Sequence, residues 1–192
     1  MKSEELIKQL NKYNKAYYTI ADIELITGQL NPVVRVLLNR MAKNNKLIRL
    51  QKNIYITKEK LINYELIAQQ IDSNCYTSFE TILSQAGILS QVPYAITLAS
   101  TKRSKKITLG NQEISYRKIK KSLAFGYYLE NNVKTAYPEK ALLDTLYLVS
   151  RGKLSLSLNE LDFSSVNRKR LKNYINKYPK NIREMCKKLK LL

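Results

Sequence analysis

The sequence predicts an α+β chain, with three helices and a basic hairpin at the N-terminus followed by a mixed α+β C-terminal domain that ends in helices. Three observations carry this. Three helical patterns, two of them capped, fill the first 43 residues, a short strand pair follows them, and the apolar periodicity then drops to two before returning to helical spacing.

The first pattern, "SEELIKQLNKY", sets Leu6, Ile7 and Leu10 on one face, with Glu4 and Glu5 in the first turn where they suit the helix dipole. In "YYTIADIELITG", Thr19 is the expected N-cap, Ile20, Ile23 and Ile26 form the apolar face, and Gly28 is the stop. "QLNPVVRVLLNRMAKNNK" begins a third helix, with Asn31 as N-cap and Pro32 at the first helical position, where its missing N–H costs nothing. Val34, Leu37, Leu38 and Met41 then share a buried face, which leaves Arg35, Val36, Asn39, Arg40 and Lys43 outside. "KLIRLQKNIYIT" reads as two strands around "QKN", with Leu50, Ile54 and Ile56 inward and Arg49 and Lys52 near the tip. Asn53 is suited to a left-handed turn.

Three helices and a basic hairpin are the order of a winged helix-turn-helix, in which the third helix enters the DNA major groove. Arg35 and Arg40 can bond guanine bidentately and Asn39 can read adenine, while Gln29, Asn31, Lys43, Arg49 and Lys52 complete the expected DNA-binding set, several of them on phosphates. The competing reading is a winged helix used for protein contacts with its arginines merely solvated. Against it, the chain has no acid between Gln29 and Lys58.

A connecting helix is expected over 59–73, with Leu61, Ile62, Leu66 and Ile67 in register. In "NCYTSFETILSQAGIL", Thr77 and Glu80 fit a capping box, Phe79, Ile82 and Leu83 supply an apolar face, and Gly87 is the stop. "YAITLAS" and "KKITLGNQEISYRKI" alternate like strands, with "GN" as a hairpin turn, and "LAFGYYLENNVKTAY" reads as another strand pair. The tail predicts two helices broken before Pro179, with core faces of Leu171, Tyr174 and Ile175 and of Ile182, Met185 and Leu189. The domains expected are thus 1–58, a linker helix over 59–73, and 74–192.

"AYPEKALLDTLYL" concentrates charge at the start of an apolar helix, with Pro138 at its first position. At about 100° per residue, Lys140, Asp144 and Arg151 share one narrow stripe, and Glu139 points away from Lys140. The helix is expected to be buried on most sides and wet or paired along that stripe, with Lys140–Asp144 as a weak i,i+4 pair worth about 0.3 kcal/mol when exposed. The rival is a metal-dependent nuclease using Glu139, Lys140 and Asp144, which would need several carboxylates around a cation.

Composition narrows the chemistry. The chain has no histidine, which removes Ser-His-Asp and Cys-His arrangements, and its two cysteines, Cys75 and Cys186, are too far apart in sequence for a CxxC zinc or redox motif. No cofactor and no metal is expected. No apolar run approaches a membrane span, and the N-terminus reads as an amphipathic helix, so the expectation is a cytoplasmic protein without a membrane partner. The 34 basic against 15 acidic residues give a formal charge of +19, which favours a polyanionic partner. The charge lies in three blocks: residues 1–58, residues 102–121 and residues 164–192. The middle block holds Lys102, Arg103, Lys105, Lys106, Arg117, Lys118, Lys120 and Lys121 against Glu113 alone, and it is the expected basic patch of the second domain.

"AYPEKALLDTLYL", together with "LIRLQKNIYIT", "TSFETILSQAGIL" and "YAITLAST", resembles the AbiE-type antitoxins of bacterial type IV toxin-antitoxin (abortive infection) systems, over roughly residues 15 to 150. "PEKALLD" is the most specific element. The family's wing usually has glycine where this chain has Asn53. The resemblance implies a non-enzymatic antitoxin and transcriptional autorepressor that binds inverted repeats in its own promoter. It also implies a nucleotidyltransferase-like toxin, counteracted by the C-terminal domain without need of a stable complex, and a role in phage defence.

Overall fold

Three helices open the chain: α1 (Ser3–Tyr13), α2 (Ile20–Thr27) and α3 (Asn31–Lys43). The computed structural model describes residues 3–58 and 60–192; Met1, Lys2 and Glu59, the first residue of the expected linker helix, lie outside the described residues. The chain is a mixed α+β structure that divides into two compact units, one of residues 1–67 with 108–111, the other of 68–107 with 112–192.

In the first unit, α2 is closed at both ends by its own sequence. Thr19 accepts from the Asp22 N–H at 3.1 Å while Asp22 accepts from the Thr19 N–H at 2.8 Å, and Gly28 takes the left-handed conformation (φ 64°) and donates to Glu24. Helix α3 starts one residue earlier than expected. Leu30, not Asn31, is its N-cap, because the Asn31 carboxamide has turned one turn forward to accept from Arg35 Nε at 2.5 Å. Val34, Leu37, Leu38 and Met41 are buried as the spacing requires, against Leu6, Leu10, Ile23 and Tyr18. Strands β1 (Leu47–Gln51) and β2 (Ile54–Thr57) form an antiparallel hairpin, and Tyr18 bridges to Tyr55 as a short third rung. Asn53 does occupy the left-handed turn (φ 65°).

Helix α4 (Tyr64–Ile71) is shorter than the linker helix expected over 59–73. Asn63 sets its start by accepting from the Leu66 N–H at 2.9 Å, which leaves Leu61 outside the helix and 95% exposed.

The second unit is built on six strands: β3 (Cys75–Thr77), β4 (Ile96–Ser100), β5 (Lys105–Leu109), β6 (Gln112–Lys118), β7 (Tyr127–Glu130) and β8 (Val133–Ala136), in the order β5-β6-β4-β3-β8-β7. The β4–β6 and β3–β8 pairs are parallel; β3–β4 and β7–β8 are antiparallel. The β7–β8 turn uses Asn131 and Asn132, both at positive φ, and "GN" joins β5 to β6. Four further helices follow in chain order, α5 (Glu80–Gln85), α6 (Pro138–Val149), α7 (Arg168–Ile175) and α8 (Lys180–Lys188).

Successive strand residues face opposite ways, and β3 shows what covers each side. Tyr76 donates to Asp144 on α6, whereas Thr77 accepts from Gln69 on α4 at 3.1 Å. The Thr77–Glu80 capping box is therefore absent. Thr77 is a buried rung of the sheet, paired with Leu98 and Thr135, and α5 is entered through Phe79 at φ 57° without a side-chain cap. A buried aromatic in that conformation costs about 1–3 kcal/mol, held here by packing on both sides of the turn. The core joins Tyr76, Phe79 and Leu83 to Leu142, Leu143 and Leu146 of α6 and to Leu171, Ile175 and Ile182 of the tail. Among the described residues, no helix is long and apolar enough to cross a membrane.

Candidate functional site

The outward face of α3 is basic and apolar together. Arg35, Asn39, Arg40 and Lys43 are exposed, and so are Val33 (52%) and Val36 (69%). Five residues, about 140° of helix, separate Arg35 from Arg40, so the two arginines stand at opposite edges of this face with Val36, Asn39 and Lys43 between them. Arg35 is oriented by Asn31 through its Nε, which leaves its terminal nitrogens to a ligand. Arg49 and Lys52 are exposed on the hairpin. The carboxamide of Asn53 at the hairpin turn accepts from the Ile20 N–H at 2.8 Å, so the turn is fastened to the start of α2. Gln29 is half-buried, and its Oε1 is enclosed without a hydrogen-bond partner among the described residues. Leu30 and Val33 are also exposed, 79% and 52%. Their apolar character reads as core until the helix face is known.

Glu139, Lys140 and Asp144 of α6 are not a wet edge. They are 1%, 0% and 0% exposed, so the stripe of Lys140 and Asp144, expected to be wet or paired, is paired, and the pair is buried. Lys140 Nζ donates to Asp144 Oδ1 and, at 2.7 Å, to the Tyr178 hydroxyl, which itself donates to Asp144 Oδ1 at 2.8 Å. Asp144 Oδ2 accepts from Tyr76 at 2.8 Å and Ser78 at 3.0 Å. The ammonium stands 5.3 and 5.0 Å from the ring centres of Tyr76 and Phe125, whose π clouds face it, while Tyr178 meets it through the hydroxyl alone. Burial pushes Lys140 below its ordinary value, with Asp144 acting against the shift; burial, reinforced by the Asp144 charge, pushes the Tyr76 and Tyr178 phenols well above theirs. Gly126 (φ 71°) makes room for the lysine stem: a Cβ there would lie 3.2 Å from Lys140 Cγ and Cδ.

Glu139 serves a different neighbour. Its carboxylate accepts from the Asn167 N–H at 2.8 Å and from Arg170 at 3.2 Å, placing a negative charge at the N-terminus of α7. The three charged residues of "PEKALLD" thus hold strand, helix and tail together, each buried and engaged by protein partners. Among the described residues no three of His, Cys, Asp and Glu are grouped as a metal would require. Burial raises the Cys75 thiol to about 12 and the Cys186 thiol to about 11.

The middle basic block separates into parts. Lys102 pairs with Asp72 at 3.3 Å, and Arg103 is exposed on the loop before β5. Lys121 lines a small hollow with Tyr127 and Lys134. The other five, Lys105, Lys106, Arg117, Lys118 and Lys120, line a cleft of two adjoining lobes, 340 and 190 Å³, that also takes in Arg151 and Lys153 from beyond α6. Those two lie outside all three charge blocks, so charge counting along the sequence could not find them. No residue of 164–192 lines either lobe. No family model matches the chain, and no curated protein matches it.

Proposed function

We propose that residues 1–58 form a winged helix-turn-helix that binds operator DNA through α3 and the β1–β2 hairpin. The observation that carries this is the outward face of α3, where two arginines, an asparagine and a lysine stand exposed with no acid among them. Arginine and asparagine match guanine and adenine edges in the major groove, and the exposed Val36 between them suits a thymine methyl group. Arg49 and Lys52 suit phosphates beside it.

The resemblance to AbiE-type antitoxins extends the reading to the whole chain: a non-enzymatic autorepressor of a two-gene operon, whose second domain counteracts a nucleotidyltransferase-like toxin. The strand, helix and "PEKALLD" segments that carry the resemblance fall in the core of the second unit, which suits a preserved scaffold. The rival nuclease reading needs Glu139, Lys140 and Asp144 to meet a substrate, and their burial and mutual satisfaction weigh against it.

A footprint of the full chain on its own upstream DNA tests the first part. Arg35→Ala and Arg40→Ala are each expected to cost about 1–3 kcal/mol on the protected site, and less on random DNA. Lys52→Ala should weaken binding to every sequence alike and lower the salt slope by about one. Equal losses on both DNAs for the arginine variants would remove base reading from α3, and an unprotected upstream region would remove the operator. For the second part, co-expression with the product of an adjacent nucleotidyltransferase gene should restore growth, and persistent toxicity would refute it.

A further inference from the structure

The two-lobed cleft of the second unit lies between the β5–β6 strands and the end of α6. Lys105, Lys106, Arg117 and Lys118 enter from the strands; Arg151 and Lys153 enter from the turn after α6. Lys118, Leu148 and Lys153 belong to both lobes, so the two are continuous. No acidic residue lines either lobe.

The cations on this cleft differ in how far they are committed. Lys106 pairs with Glu113 at 3.0 Å, and Arg117 pairs with Glu80 at 2.6 Å while lying over the Phe79 ring. Among the described residues, no acid pairs with Lys118 or Lys153, and both are exposed. Nor are Arg151 and Lys153 needed to close the helix. The last α6 carbonyls already accept from backbone: Leu146 from Ser150, Leu148 from Arg151 and Lys153, and Val149 from Gly152 at φ 64°. The Ser150 hydroxyl satisfies Tyr147 at 2.9 Å. This closure resembles a Schellman motif and leaves the Lys153 side chain over, while Arg151 donates to the Tyr147 hydroxyl at 3.2 Å and lies over its ring.

We propose that this cleft binds a linear triphosphate chain, that of a nucleotide or of inorganic triphosphate, with its lysines and arginines holding the phosphates. Several cations spread along a continuous cleft suit a linear run of phosphates better than one compact anion, with lysine as a point charge and arginine as a planar fork. Ser104 and Ser115 line the larger lobe and bring hydroxyl donors to the same space. The larger lobe falls within the volume of ordinary small-ligand sites, about 300–1,000 Å³. A DNA duplex is too wide to enter it. With no carboxylate on its walls to hold a divalent cation, the cleft neutralises the phosphates with its own side chains, so binding needs no magnesium.

Calorimetric titration of the full chain with ATP, GTP and inorganic triphosphate, in EDTA and at physiological salt, tests this. One equivalent per chain is expected for each, with orthophosphate at least tenfold weaker. Lys118→Ala/Lys153→Ala, at exposed positions, should weaken ATP binding at least tenfold while leaving the circular dichroism spectrum unchanged. Arg35→Ala/Arg40→Ala should leave the ATP titration as it was, which keeps this result separate from DNA reading by α3. Unaltered ATP binding in the Lys118/Lys153 variant would overturn the proposal. So would saturation only above millimolar nucleotide, or several weak equivalents per chain that salt removes.

Discussion

Lys140 and Asp144 are one helical turn apart, and what such a pair does depends on its surroundings. In water it is worth a few tenths of a kcal/mol; enclosed, each charge needs every bond it can make. Asp144 has four donors and Lys140 has two oxygen acceptors and two rings, so the desolvation of both is offset only while the set is complete. Lys140→Met and Asp144→Asn should each destabilise the chain by about 3–5 kcal/mol, because either leaves a charge buried alone. The double variant should lose about 0.5–3 kcal/mol less than the sum of the singles, since the pair goes together. Urea unfolding of the four proteins measures this, and strictly additive losses would mean the two charges do not support each other.

Among the secondary elements, the β1–β2 hairpin and α2 meet at one asparagine. Asn53 holds the left-handed turn and its side chain satisfies the Ile20 N–H, a task a glycine could not share. Asn53→Gly should keep the turn and lose the cap, costing about 1 kcal/mol. Asn53→Ala loses the cap and adds left-handed strain, so it should cost about 1–2 kcal/mol more. Thermal unfolding ranks the two, and a glycine variant less stable than the alanine variant would contradict the assignment. The elements that were legible in the sequence are those decided within a few residues. Thr19 and Gly28 close α2, Pro138 starts α6, and paired turn residues make the hairpins. Where distant groups compete, local reading fails. Arg35 draws the Asn31 side chain away from a cap, and the sheet recruits Thr77 out of a capping box. Beyond Lys140, the partners of Asp144 come from 34, 66 and 68 residues away, and no pattern around "PEKALLD" announces them. The cleft was half visible for the same reason: the strand lysines form a block, whereas Arg151 and Lys153 join it only through the path of the chain after α6.

For the whole molecule the governing quantity is charge. Even with every acid paired, nineteen basic side chains would have none, and two of the existing pairs, Lys140–Asp144 and Arg170–Glu139, draw carboxylates into the core where they cannot screen the surface. Self-repulsion of this kind destabilises a compact state, and salt relieves it by shortening the reach of each charge to about 10 Å at 0.1 M and about 3 Å at 1 M. The thermal midpoint of the free protein should therefore rise as sodium chloride goes from 0.05 to about 0.5 M, a range over which that reach falls severalfold. If α3 and the hairpin bind DNA as proposed, that affinity should fall over the same range, because salt removes the free energy of releasing counterions from the duplex. The opposite signs separate the two effects: one protein sample, melted with and without duplex DNA at each salt concentration, should show a stabilisation by DNA that shrinks while the free midpoint climbs. A free midpoint that stays flat or falls would mean the basic side chains are spread widely enough not to repel one another. The cationic surface would then carry no folding penalty for DNA to relieve.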